Sequence, residues 1–185
     1  MLFDEVLSAG PVRELVSDAA WVQAMLDAEA ALAWAQADVG LVPATAAAEI
    51  ESACVASRYD VADLARSAAD SGNPAAPLAR ALADLAGASG RYVHMGATSQ
   101  DIVDTAAMLV SRAAVAAVLA DVRACAHTLA SLAATHRSTV QVGRTLLQQA
   151  LPTTFGYVAA GWLGGLTASG AALGSVRLPA QLGGA

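Results

Sequence analysis

Residues 101–135 read DIVDTAAMLVSRAAVAAVLADVRACAHTLASLAAT, a run with neither glycine nor proline. Ile102, Ala106, Leu109, Ala113, Val118, Val122, Cys125, Leu129 and Leu132 recur mostly at steps of three and four, the signature of one face of an α-helix. At about 1.5 Å per residue the helix is about 50 Å long, more than a compact single domain needs. It therefore predicts a long helical bundle and an all-α fold. Its start is also marked: Thr98 and Asp101 have capping-box spacing, and Asp101 and Asp104 lie where the helix dipole favours anions.

Immediately upstream, residues 91–100 read RYVHMGATSQ, a polar knot in an otherwise apolar chain. Buried polar groups must find partners or cost stability. Helix capping by Thr98 or Ser99 accounts for Thr98, Asp101 and Asp104 but explains His94, Ser99 and Gln100 less well. Free amides and hydroxyls at a helix N-terminus also suit a carboxylate or phosphate.

A second knot, GRTLLQQALP at residues 143–152, precedes another apolar run. On the plain reading Arg144 and the glutamines bond to loop backbone. On the sharper one Arg144 grips an anion, bidentately if it is a carboxylate, and Gln148 or Gln149 orients it. Two such knots, each heading a long helix, favour a single shared site. Ser138 to Gln149 reads as a turn or short extended piece, with Pro152 opening a last helix. Residues 145–176 carry no charge, a length that could span a bilayer. Gln148, Gln149, Thr153, Thr154 and six glycines thin the run, and no basic cluster flanks it, so a buried bundle helix is the expectation rather than a membrane span.

Ahead of the knots lies a cluster of short helices. Apolar residues from Trp21 to Leu32 set an amphipathic helix from Asp18 to Gly40. Pro43 opens another to about Ser57, Asp60 caps a third that stops at Gly72, and Pro77 to Ala86 forms a fourth, ended by Gly87 to Gly90. Leu2 to Asp18 is a lead-in with a helical turn begun at Pro11. Residues 1–97 are expected to form an N-terminal helical domain, and 98–185 the first two long helices of a central bundle.

The composition narrows the classes. Hydrophobic residues make up 56% and charged ones 14%, the net charge is -6, and every basic residue is arginine. An excess of apolar surface asks for more chain or sister subunits. No basic run, aromatic-basic interleaving or zinc-finger spacing is present, which argues against nucleic acid. Nor does any His, Cys or carboxylate spacing suggest a metal. Cys54 and Cys125, in apolar helical contexts, read as reduced core residues. The N-terminus carries acids where a signal peptide carries bases, which points to the cytoplasm.

The motifs GATSQDIVDT (96–105) and GRTLLQQALPTTFG (143–156) resemble the conserved loops that head bundle helices in the aspartase/fumarase superfamily. LFD (2–4), LDAEAALAWAQADVGLVP (26–43), RYDV (58–61), SGNPAAPL (71–78) and RYVHMGATSQD (91–101) extend the likeness over essentially the whole chain, and they are most similar to its cycloisomerase branch. In lyases of the superfamily the GRT loop continues with a histidine that moves a proton; here that position is Leu146, which cannot. The resemblance implies lactonisation of a small tricarboxylate without metal or organic cofactor. It also implies a homotetramer whose sites combine loops from three subunits, and a catalytic serine loop beyond residue 185. Asn73, Thr98, Ser99, Arg144 and Thr145 would be carboxylate donors, with His94, Gln100 and Gln148 or Gln149 orienting or binding groups. Arg144 either binds a carboxylate or holds its own loop.

Overall fold

The computed structural model describes residues 10–184, so residues 2–9 of the lead-in expected over Leu2 to Asp18 lie outside the described residues. Helices predominate: α1 (Val12–Leu15), α2 (Asp18–Asp38), α3 (Ala44–Ala53), α4 (Val61–Ser71), α5 (Ala75–Leu85), α6 (Ser99–Thr135) and α7 (Phe155–Gly174). A two-stranded antiparallel hairpin, β1 (Val140–Thr145) and β2 (Gln148–Thr154), joins α6 to α7. The chain forms two compact units. One runs to Ala114 and takes in Leu178 onward; the other is Val115–Arg177.

In the first unit, α2 is the central element. Ser17 caps it by accepting from the Ala20 amide, and Val22, Met25, Leu26 and Ala33 turn one face inward against α3. Ile50, Leu78 and Leu82 complete the core with Leu26, each of them fully enclosed. The first turns of α6 enter it through Ile102, Ala106 and Val110 at steps of four; beyond Val110 no residue of α6 is buried. By length and composition α6 is also the one helix, among the described residues, apolar enough to cross a membrane.

Local chemistry sets several helix ends. Asp60 accepts from the amides of Ala62 and Asp63 and so starts α4, as expected. The helix expected to reach Ser57 stops at Ala53 instead. Gln23 captures the chain there: its Nε2 donates to the Cys54 carbonyl at 3.0 Å, and its Oε1 accepts from the Ala56 amide at 2.8 Å. The next helix starts at Ala75 rather than Pro77, because the Asn73 carboxamide oxygen accepts from the Ala76 amide at 3.0 Å. Pro77 then falls within the first turn, where a missing N–H leaves nothing unpaired. A 3₁₀ helix over Gly87–Tyr92 follows α5 where a simple stop was expected.

In the second unit, Pro152 does not open a helix. It lies in β2 opposite Val142, and α7 starts at Phe155 with the Thr154 hydroxyl as its cap. Pairing with β1 overrides the proline signal, since a two-stranded ladder has open edges on which a residue lacking N–H is tolerated. The ladder's register shifts between Val142 and Arg144, and a Cβ on Gly143 would strike the Leu151 carbonyl. The charge-free run is thus divided between hairpin and helix, and α7 ends at Gly174, before the run does.

Helix α7 folds back along the end of α6. Phe155 packs edge-on against His136 at 5.2 Å, and the Gly156 amide donates to the His136 carbonyl at 2.9 Å. A Cβ at Gly156 would lie 2.6 Å from the Ala133 carbonyl oxygen, 2.7 Å from that of His136 and 2.8 Å from the Arg137 Cα. Backbone cannot step aside as a side chain can. Gly156→Ala is expected to lower stability by about 1–3 kcal/mol, read from the midpoint of denaturant unfolding. An unchanged midpoint would mean that the helices do not approach so closely.

Both cysteines are free, but only Cys54 belongs to the core. Burial, aided by the nearby Glu29 carboxylate, pushes its thiol up to about 12. Cys125 is exposed, contrary to expectation: α7 approaches α6 at Leu119 and Val122, beside Gly174 and Gly170, and leaves the Cys125 side chain uncovered.

Candidate functional site

The first polar knot is built where the 3₁₀ turn meets α6. His94 adopts φ 57, a left-handed conformation uncommon for a residue with a Cβ. Its backbone amide donates to Glu29 Oε2 at 3.1 Å, and its Nδ1 lies 2.6 Å from Glu29 Oε1. Hydrogen bonding to Glu29 raises the imidazole pKa above its usual value; burial opposes this, and the charges of Glu29 and Asp101 add to it. Next to it, Gln36 Nε2 donates to the Met95 carbonyl at 2.6 Å, while Gln36 Oε1 is buried with no partner among the described residues.

Asp101 supplies half of the expected capping box: its Oδ2 accepts from the Thr98 amide at 2.9 Å. That bond, with others from the backbone of Gly183 and Gly184, holds the carboxyl below the usual carboxylate range. The Gly184 amide reaches Asp101 Oδ1 at 2.8 Å, and the Gln181 amide reaches Thr105 Oγ1 at 3.0 Å. The segment after α7 therefore lies along the head of α6, over a cavity of about 210 Å³ lined by Ala28, Leu32, Ile102 and Thr105 among others.

The expected binding residues fall into different situations. The hydroxyls of Thr98 and Ser99 make no hydrogen bond among the described residues, which leaves them available to a ligand. Gln100 pairs with Asp104 at 2.5 Å on the exposed side of the helix. Asn73 is engaged locally, capping α5 through its oxygen and donating weakly to the Ser71 carbonyl at 3.3 Å. Arg144, Thr145, Gln148 and Gln149 stand together on the hairpin, paired across the ladder as Arg144 with Gln149 and Thr145 with Gln148. All four line an open concavity of about 620 Å³, and Arg144 has no ion pair among the described residues. The two-residue tip is Leu146–Leu147; Leu147 takes φ 56, a strained choice for leucine, and is 99% exposed. The hairpin thus offers a cation, a hydroxyl and two carboxamides, and no proton donor.

Glu29 was not among the residues expected at the site. The signal was present: Val22, Met25, Leu26, Glu29 and Ala33 follow the three- and four-residue steps of the buried stripe, and a carboxylate on that stripe demands a buried partner. Sequence alone does not say that the partner is His94, sixty-five residues away.

A model of the lyase family matches residues 7–184. The nitrosuccinate lyase of Streptomyces davaonensis is 47% identical over all of this chain and 40% of its own length. The 3-carboxy-cis,cis-muconate cycloisomerase of Pseudomonas putida is 50% identical over 90% of the chain and 40% of its own. A crystal structure of the 3-carboxy-cis,cis-muconate lactonizing enzyme from Pseudomonas putida superposes with a TM-score of 0.95 at 47% identity, covering 100% of this chain and 43% of that one. The chain thus spans about two fifths of the length of these relatives. A family match that runs through every described element, on a helical fold shared so closely, makes this chain a member of the lyase family, the aspartase/fumarase superfamily that its two loop motifs resemble.

Proposed function

We propose that the complete protein is a cycloisomerase that converts 3-carboxy-cis,cis-muconate to 4-carboxymuconolactone, a step of protocatechuate degradation, in the cytoplasm and without metal or organic cofactor. One carboxylate oxygen adds to a double-bond carbon conjugated to a second carboxylate. The displaced electron pair moves onto that second carboxylate, and a proton is delivered to its α carbon. Charge developing there needs donors already in place. Thr98, Ser99, Arg144 and Thr145 are the donors in this reading, with Asn73 and Gln100 as further binding residues and His94, Gln148 and Gln149 as orienting groups.

The observation that carries the reading is Leu146, an 84% exposed aliphatic side chain at the hairpin tip, beside the polar residues that would hold the substrate. A site that eliminates an amine or nitro group gains from a proton-transferring group there, and this hairpin has none. The complete protein is read as a homotetramer divided at residues 97 and 98 into a small helical domain and a bundle. The exposed Tyr157 and Trp162 of α7 suit contact with sister helices.

A second reading, a lyase of the same superfamily, is favoured by the full-length match to nitrosuccinate lyase. Comparing kcat/KM of the complete protein for 3-carboxymuconate, nitrosuccinate and adenylosuccinate separates them. The cycloisomerase reading expects the muconate to lead by at least about a hundredfold, a gap of about 2.7 kcal/mol in transition-state binding. Preference for either succinate would replace it.

A further inference from the structure

Glu29 is the most deeply buried carboxylate outside the loops already described, 2% exposed on the inward stripe of α2. No arginine reaches it among the described residues. Both its oxygens are spent on one residue, Oε2 on the His94 amide and Oε1 on the His94 ring. His94 is held in a left-handed backbone conformation that a glycine would adopt without strain. Local strain kept in place by a buried two-point grip is the pattern expected where a side chain must be aimed. Gln36 fixes the following peptide through the Met95 carbonyl. With Nδ1 committed to Glu29, the Nε2 edge is left without a partner among the described residues, on a side chain 22% exposed. The charged groups that face the ring are Glu29 and Asp101, both anionic.

We infer that Glu29 is a positioning residue that holds His94 as an imidazolium and presents its Nε2–H to a carboxylate of the substrate. The inference rests on the reading of the site as one for carboxylate substrates. When His94 is neutral, Glu29 keeps the remaining proton on Nδ1, so Nε2 becomes a lone pair that repels the same carboxylate. Two neighbouring anions favour the charged ring, and the unpartnered hydroxyls of Thr98 and Ser99 lie four and five residues further along the chain, at the head of α6.

The test uses the complete protein and two variants, Glu29→Gln and His94→Asn; asparagine tolerates the left-handed backbone, so the second variant keeps the fold if the first does not. Imidazole nitrogen NMR follows the His94 titration, and calorimetry with tricarballylate, a non-reacting tricarboxylate, follows binding. In the wild type His94 is expected to titrate above the usual imidazole value, and tricarballylate binding to weaken as pH rises through that midpoint. Glu29→Gln should move the midpoint down and weaken binding about tenfold at pH 7, the loss of one charge-assisted hydrogen bond. His94→Asn should weaken binding similarly and abolish its pH dependence. A midpoint indifferent to Glu29→Gln, or tricarballylate binding with the same pH profile in wild type and His94→Asn, overturns the inference. Should these changes appear in a protein that does not lactonise carboxymuconate, the dyad stands and the proposed reaction falls.

Discussion

Replacing Arg144 with alanine in the complete protein is expected to lower kcat/KM for carboxymuconate by about 10²–10³, the cost of removing one preorganised donor from a developing anion. The same substitution should change stability by no more than about 0.5 kcal/mol. Arg144 is exposed on β1 and makes no ion pair among the described residues, so its guanidinium contributes little to folding. This pair of measurements settles the choice the sequence leaves open, between an arginine that binds a carboxylate and one that holds its loop. A holding role would show the reverse pattern, with stability lost and activity falling only in proportion. Arg144→Lys should recover part of the rate, because lysine restores the charge without the two-pronged geometry that a carboxylate accepts.

Leu26→Ala is expected to destabilise the protein by about 2–5 kcal/mol. The side chain is fully enclosed in the core of the first unit, where α2 packs against α3, and small alanines surround it. Backbones brought close by alanine cannot collapse further to fill the space that a leucine leaves. A loss of this size is a large share of the 5–15 kcal/mol that folded domains typically hold. Leu147→Ala is the matching control: with its side chain 99% exposed it should move the unfolding midpoint by no more than about 0.5 kcal/mol. Equal effects of the two substitutions would mean that α2 does not lie at the centre of this core.

What could be read from the sequence follows how local the responsible interaction is. The Asp60 cap acts over two or three residues, and α4 starts where that cap says. The long helix depends on its own periodicity and on an acidic first turn, and it appears over Ser99–Thr135. The hairpin was only half visible as an extended piece, because Pro152 carries a strong local helix-start signal while the pairing of Val142 with Pro152 is made between strands. The short third helix depends on Gln23, whose partners at Cys54 and Ala56 lie more than thirty residues away. At the site, residue types were legible and partnerships were not. Thr98, Ser99, Arg144, Thr145, Gln148 and Gln149 stand out as polar residues in an apolar chain. Nothing local indicates that Asn73 serves its own helix cap, or that His94 leans on Glu29. Cys125 shows the same limit from the other side: an apolar periodicity marks a helix face without saying which of its residues a neighbour covers.

The most direct measurement is to run the complete protein with 3-carboxy-cis,cis-muconate in deuterium oxide and identify the product by NMR. The expected product is 4-carboxymuconolactone carrying one deuterium on the carbon α to the accepting carboxylate, formed without added metal or cofactor. Unchanged muconate, together with release of an unsaturated dicarboxylate from nitrosuccinate or adenylosuccinate, would contradict the proposed reaction.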